Sequence, residues 1–140
     1  DLYGADSQSG NLLHSADSGM TWNSLGTNAF TDIAVSPEMS GMAIAVKNSE
    51  LLLTENAFKS TSKIMSKLKI TQIEWNKSGL YALSGSSLYN STNFGKSWKK
   101  LNSFKAATGI LSASDRLMLV TVGADIYTSS NAGRKFKVLS

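Results

Sequence analysis

The chain has 140 residues, 41% apolar and 17% charged, so it has room for one ordinary domain and enough apolar content to form a core; a two-domain enzyme and a disordered chain are both excluded. Cysteine is absent and histidine occurs once, at His14, which removes disulfides, thiolate metal sites, a cysteine nucleophile and most histidine-based catalysis. The net charge of +4 rests on twelve lysines and two arginines against ten carboxylates, which gives only a mild preference for acidic partners and lacks the aromatic interleaving of a nucleic-acid surface.

Taken in chain order, short alternating segments read as strands at 2–5, 12–15 and 21–25, then at 31–36, 42–46 and 51–54. They continue at 70–76, 80–84, 88–91 and 97–101, and end at 109–113, 117–122, 126–129 and 135–139. No segment has helical periodicity, and no apolar run approaches the roughly 18 residues of a membrane span.

One motif punctuates this series. Ser15-Ala-Asp17-Ser-Gly19-Met-Thr21-Trp22 returns as Ser91-Thr-Asn93-Phe-Gly95-Lys-Ser97-Trp98 and as Ser129-Ser-Asn131-Ala-Gly133-Arg-Lys135-Phe136. An eroded copy begins Thr54-Glu-Asn56 and has Phe58 in the glycine position and Thr61 in the aromatic position. The starts at 15, 54, 91 and 129 are spaced by 39, 37 and 38 residues. Aliphatic residues recur three positions before each start (Leu12, Leu51, Leu88, Ile126) and ten after it (Leu25, Ile64, Leu101, Leu139). The chain therefore divides into repeats at roughly 1–27, 28–66, 67–104 and 105–140, three strands followed by three sets of four. Four antiparallel strands returning at this period predict the blades of an all-β propeller; a sandwich would give no reason for the motif to return.

A physical role for the motif follows from its chemistry. The short side-chain oxygen at its third position accepts turn amides, its glycine permits positive φ, and its aromatic residue buries apolar surface on the blade or its neighbour, worth roughly 1.5–3 kcal/mol. The copy at Thr54 is expected to have a rebuilt turn, with Phe58 taking over the missing aromatic packing. Only Asp17 carries a carboxylate at the third position, so neither catalysis nor calcium binding is expected there.

The motif resembles the Asp-box, or bacterial neuraminidase repeat, of sialidases, sortilin-type receptors and a photosystem II assembly propeller family. The resemblance covers essentially the whole chain and implies a turn between the third and fourth strands of each blade. The sialidases of this group clamp their substrate's carboxylate with three arginines; this chain has two, Arg116 and Arg134, neither on an inner strand. No catalytic residue, cofactor or metal ligand is expected.

A partner face is expected on the loops that follow the fourth strands and join second to third strands, with Phe30, Lys67, Lys69, Phe104 and Lys105 as its candidate residues; Phe30, Leu68 and Phe104 serve equally as caps of the core. The chain opens on Asp1 rather than methionine and its first repeat lacks a strand, which marks it as a propeller fragment or a propeller completed by a partner. The reading is a non-catalytic binding or structural scaffold whose partner is a protein or the remaining blades, with a glycan or other polyanion as a further candidate. Its composition suits a virion component or a secreted adhesin. The alternatives are part of a sialidase-like exo-glycosidase whose arginines lie outside this chain, and an assembly factor of the photosystem type.

Overall fold

The computed structural model describes residues 2–5, 9, 11–27, 29–112 and 114–139. Among them are fifteen strands and no helix. The first sheet has three strands in the order β1 (Leu2–Ala5), β2 (Asn11–Ser15), β3 (Asn23–Thr27). The second runs β4 (Asp32–Val35), β5 (Ala43–Lys47), β6 (Glu50–Thr54), β7 (Ser62–Ile64). The third runs β8 (Ile70–Asn76), β9 (Gly79–Ser84), β10 (Ser87–Ser91), β11 (Lys99–Ser103). The fourth runs β12 (Ala107–Ser112), β13 (Met118–Val122), β14 (Asp125–Ser129), β15 (Lys137–Val138). All pairings are antiparallel meanders, and each sheet falls within one sequence repeat. Residue 113 and parts of the 6–10 and 26–30 loops lie outside the described residues.

Register places the short first sheet within the repeat. Leu2 pairs with Ser15 as Ala43 pairs with Thr54, Leu80 with Ser91 and Met118 with Ser129. β1 is thus the counterpart of the second strands β5, β9 and β13, and the innermost strand is the one missing from the first sheet.

Apolar content explains the layering. β5 (AIAVK) and β9 (GLYALS) are apolar on both sides and buried on both, because each lies between neighbouring sheets. The fourth strands carry Lys63, Lys99, Lys100 and Lys137 on exposed edges, where charge blocks further pairing. The first strands of successive sheets pack on one another, β4 on β8 and β8 on β12. One core, built from Ile44, Leu51, Ile70, Ile73 and Leu80, fills the seam between the second and third sheets. Another, built from Tyr81, Leu83, Leu88 and Met118, fills the seam between the third and fourth. Between the first and second sheets the seam is aromatic: Tyr3 stacks on His14, and Phe58 meets both Tyr3 and Phe30.

Candidate functional site

Each copy of the motif folds into the same turn, and the first hydroxyl holds it as much as the third-position oxygen. Ser15, Thr54, Ser91 and Ser129 are buried. Their hydroxyls accept from the amide four residues on, at Gly19 (2.8 Å), Phe58 (2.8 Å), Gly95 (2.9 Å) and Gly133 (3.0 Å), and donate to the third-position side chain. The third-position oxygen in turn accepts from the amides of Thr21, Ser60, Ser97 and Lys135, each at 2.9 Å. Where that residue is Asp17, the Thr21 hydroxyl donates to the carboxylate at 2.6 Å; where it is Asn56 or Asn93, the amide donates to Ser60 or Ser97 instead. These bonds from Thr21 and then Ser15 hold the Asp17 carboxyl down at about 2. The oxygens thus point into their own turns, where they serve backbone amides.

The copy at Thr54 is not rebuilt, contrary to the expectation from its sequence. Phe58 adopts the glycine's conformation at φ +63°, beside Ala57 at φ +55°. Ser18, Phe94 and Ala132, the residues before the other glycines, are also left-handed, so two consecutive positive φ angles define the turn. Gly95 and Gly133 carry no side chain because the preceding sheet approaches closely: an added Cβ at Gly95 would lie 3.3 Å from Leu51, and one at Gly133 would lie 3.1 Å from Leu88. Phe58 fills the corresponding seam with a ring where the others have contact.

In the third and fourth sheets the aromatic that closes the motif packs on the sheet before it. Trp98 joins the Leu51 and Ile64 core, and Phe136 joins Leu88, Leu101 and Phe104. Trp22 has no preceding sheet. It is 45% exposed, with its indole N–H turned back onto the Gly19 carbonyl at 3.1 Å, and Met20 nearby is 85% exposed. The opposite end mirrors this. Leu12, Leu51 and Leu88 are buried, whereas their counterpart Ile126 is 40% exposed and its companion Leu139 is 55% exposed. The first and last sheets therefore present, unpaired, the two halves of the contact that joins the sheets between them.

The loop residues expected to form a partner face separate. Phe30 lies half-buried against Phe58, and Phe104 lies edge-on to Tyr127 and Phe136, so both rings sit in seams. Lys69 and Lys105 are exposed on the loops. Lys67 lines a groove of about 430 Å³ with Met65, Leu68, Lys96 and Trp98.

Sequence reasoning missed the inner-strand acceptors. Asp32 Oδ2 accepts from the Ile73 amide at 2.8 Å, and Gln72 Oε1 accepts from the Ile110 amide at 3.1 Å. Asp32 and Gln72 occupy the same place in their sheets, facing Val46 and Leu83 respectively; in the last sheet that place is Gly109, facing Thr121. Glu74 continues the seam toward the Ser112 amide, and Asn76 donates to Ser112 Oγ at 2.6 Å. Burial pushes the Glu74 carboxyl up to about 6, against the Ser112 bond and aided by the charge of Asp32. Burial also raises Asp32, against its bonds from Ile73 and Ile33. A repeated acceptor opposite the residue four before each third strand was the available signal, hidden because its identity changes from Asp to Gln and is lost at Gly109. Among the described residues no group of three His, Asp or Glu side chains is placed to hold a metal ion.

Several solved structures share this arrangement of sheets. A YCF48 bound to D1 peptide matches 93% of the chain and 46% of its own length at a TM-score of 0.67 and 16% identity. PorZ, an essential bacterial surface component of the type-IX secretion system of Porphyromonas gingivalis, matches 98% of the chain at 0.69 and 18% identity. An ancestral GH74 enzyme matches 99% at 0.67 and 16% identity. The chain is a run of β-propeller blades. It spans 19% of PorZ and 22% of the GH74 enzyme, and at these identities the likeness is one of fold. No protein-family model and no curated protein sequence matches the chain. As propeller blades, its sheets follow one another around an axis lined by β4, β8 and β12.

Proposed function

We propose that the chain is a non-catalytic scaffold of the Asp-box type, whose two end sheets dock further blades within a larger protein or assembly. The observation that supports this most directly is the exposure of Trp22 at one end and of Ile126 at the other, since Trp98 and Phe136 pack half-buried on a preceding sheet and Leu12, Leu51 and Leu88 are buried. An aromatic and an aliphatic pair of this kind bury enough surface to contribute several kcal/mol once joined, roughly 1.5–3 kcal/mol for each large side chain. The YCF48 structure holds a peptide, which favours a protein partner over catalysis as the general use of the fold here. The carboxylates that could act as acids or bases, Asp32 and Glu74, are occupied with amides of the next sheet, which supports a structural role for them. A virion or extracellular setting suits a scaffold of this composition.

The test is mass in solution by light scattering, alone and with Trp22→Ser or Ile126→Lys. Concentration-dependent association that either substitution abolishes is the expected result. A wild-type monomer whose melting temperature is untouched by neighbouring blades would overturn the reading. Trp98→Ser serves as the internal comparison: it should cost about 2–4 kcal/mol, because the ring lies on a sheet already present, whereas Trp22→Ser removes contacts with its own sheet alone, at Gly4 and Gly19, and should cost the isolated chain less, about 1–2 kcal/mol.

A further inference from the structure

The two arginines of the chain, eighteen residues apart in sequence, come together in space. Both line a cleft of about 450 Å³ between the third and fourth sheets, with Lys99, Tyr81, Asn90 and Asn131. Arg116 is delivered by the link between β12 and β13, whose backbone is pinned where the Ala132 amide donates to the Arg116 carbonyl at 2.9 Å. Arg134 is delivered by the last motif turn, next to Gly133. The counterparts of Arg116 in the other four-stranded sheets are Gly41 and Ser78, so the paired guanidinium groups belong to this seam and are not a feature of the repeat.

Charge and chemistry restrict what the cleft accepts. Three cationic side chains line it and no carboxylate does. Among the described residues neither guanidinium group has an ion pair or a side-chain hydrogen bond. Asp115, the nearest acid in sequence, lies at the cleft's edge, where it accepts from the Lys77 amide at 3.1 Å and its charge reaches the Tyr81 hydroxyl. Two fork-shaped donors with free N–H groups match planar or tetrahedral oxyanions. The remaining lining is amide and hydroxyl, from Asn90, Asn131, Ser78 and Thr92, with Leu101 and Ala132 as its apolar part. That lining offers alternating donors and acceptors and no deep apolar slot, which suits a polyhydroxylated ring better than peptide side chains.

We propose that this cleft binds an acidic saccharide unit, its carboxylate or sulfate held by Arg116 and Arg134 and its hydroxyls by the asparagine amides. The site lies within one chain, so it operates whether or not the end sheets are docked, although it rests on the reading of the protein as a binding scaffold.

The test is calorimetric titration of the chain with a short oligogalacturonate, which supplies carboxylates, and with a chondroitin sulfate disaccharide, which supplies sulfate, alongside oligoglutamate as an acidic peptide. Saturable binding of at least one sugar is expected, weakened about tenfold or more by Arg116→Gln and by Arg134→Gln and unchanged by Lys59→Gln, an exposed lysine on the second sheet's motif turn away from the cleft. Arg134→Lys, which keeps the charge and loses the fork, should fall between. The stronger of the two sugars identifies the anion. Absence of saturable sugar binding, equal loss in Lys59→Gln, or binding of oligoglutamate in place of both sugars would each overturn the proposal. The wild-type chain's mass, measured in the same samples, separates this outcome from failure of end-sheet docking.

Discussion

Replacing Ser91 by alanine tests the physical account of the repeated turn. The hydroxyl is buried, accepts from Gly95 N–H at 2.9 Å and Asn93 N–H at 3.3 Å, and donates to Asn93 Oδ1 at 3.0 Å. Alanine fits the space and supplies no acceptor. The Gly95 amide lies against Leu51 of the preceding sheet, away from water, so it has no replacement partner. A buried donor left in this state costs about 1–3 kcal/mol. Each kcal/mol lowers the melting temperature of a domain of this size by roughly 2–8 °C, so a fall on the order of 5–10 °C is expected in a thermal scan. Ser91→Thr is the control, because Thr54 performs the same task in the second sheet at 2.8 Å. It should retain most of the stability. Ser97→Ala removes an exposed partner of Asn93 and should cost no more than about 0.5 kcal/mol. Ser91→Ala as stable as the parent chain, or Ser91→Thr as damaged as Ser91→Ala, would refute the argument that the buried hydroxyl satisfies the turn.

Phe58→Gly relieves a left-handed phenylalanine, a gain of about 1 kcal/mol, and removes a half-buried ring from Tyr3 and Phe30, a loss of about 2–3 kcal/mol; chemical denaturation should show net destabilisation, and a net gain would mean that backbone strain outweighs the ring contacts. The Asp17 carboxyl is depressed from 3.8 to about 2, so its contribution is complete above pH 4 and is lost as pH falls toward 2; denaturation series across this range should slope less in Asp17→Asn than in the parent chain. Glu74 has the opposite sign. Its folded value of about 6 exceeds the ordinary 4.5 of a glutamate, so its ionisation lowers stability as pH rises through that interval; Glu74→Gln should be more stable than the parent at pH 7 and lose that advantage at pH 4.

The repeat made most of the architecture legible from sequence alone. Spacings of 39, 37 and 38 residues, the aliphatic residues three before and ten after each motif, and short alternating segments define four antiparallel sheets, because strand alternation and turn chemistry are local properties. The incomplete first sheet was legible for the same reason: residues 2–5 match a second strand in pattern, and their register with β2 agrees. The turn at Thr54 was misjudged from sequence because substitution of one glycine was weighed alone. Four hydrogen bonds that recur in every copy, one donated by the Thr54 hydroxyl and three accepted by Thr54 Oγ1 and Asn56 Oδ1, hold that turn in place and force Phe58 into the glycine conformation.

The site was legible only in part, because its chemistry depends on contacts between repeats. Trp22 and Trp98 occupy the same position of the same motif, yet one is 45% exposed and the other packs against a core; what differs is whether a sheet precedes them among the described residues. Asp32, one of ten carboxylates in the sequence, becomes a bridge between inner strands only when β4 is laid beside β8. Arg116 and Arg134, dismissed as too few for a clamp, line one cleft because a strand link and a motif turn meet at the same seam. Sequence determined the blades, since each is closed by neighbours within forty residues. Only the tertiary structure decided which of their faces are buried, which are bridged and which are left open, since each of those is a property of two blades together.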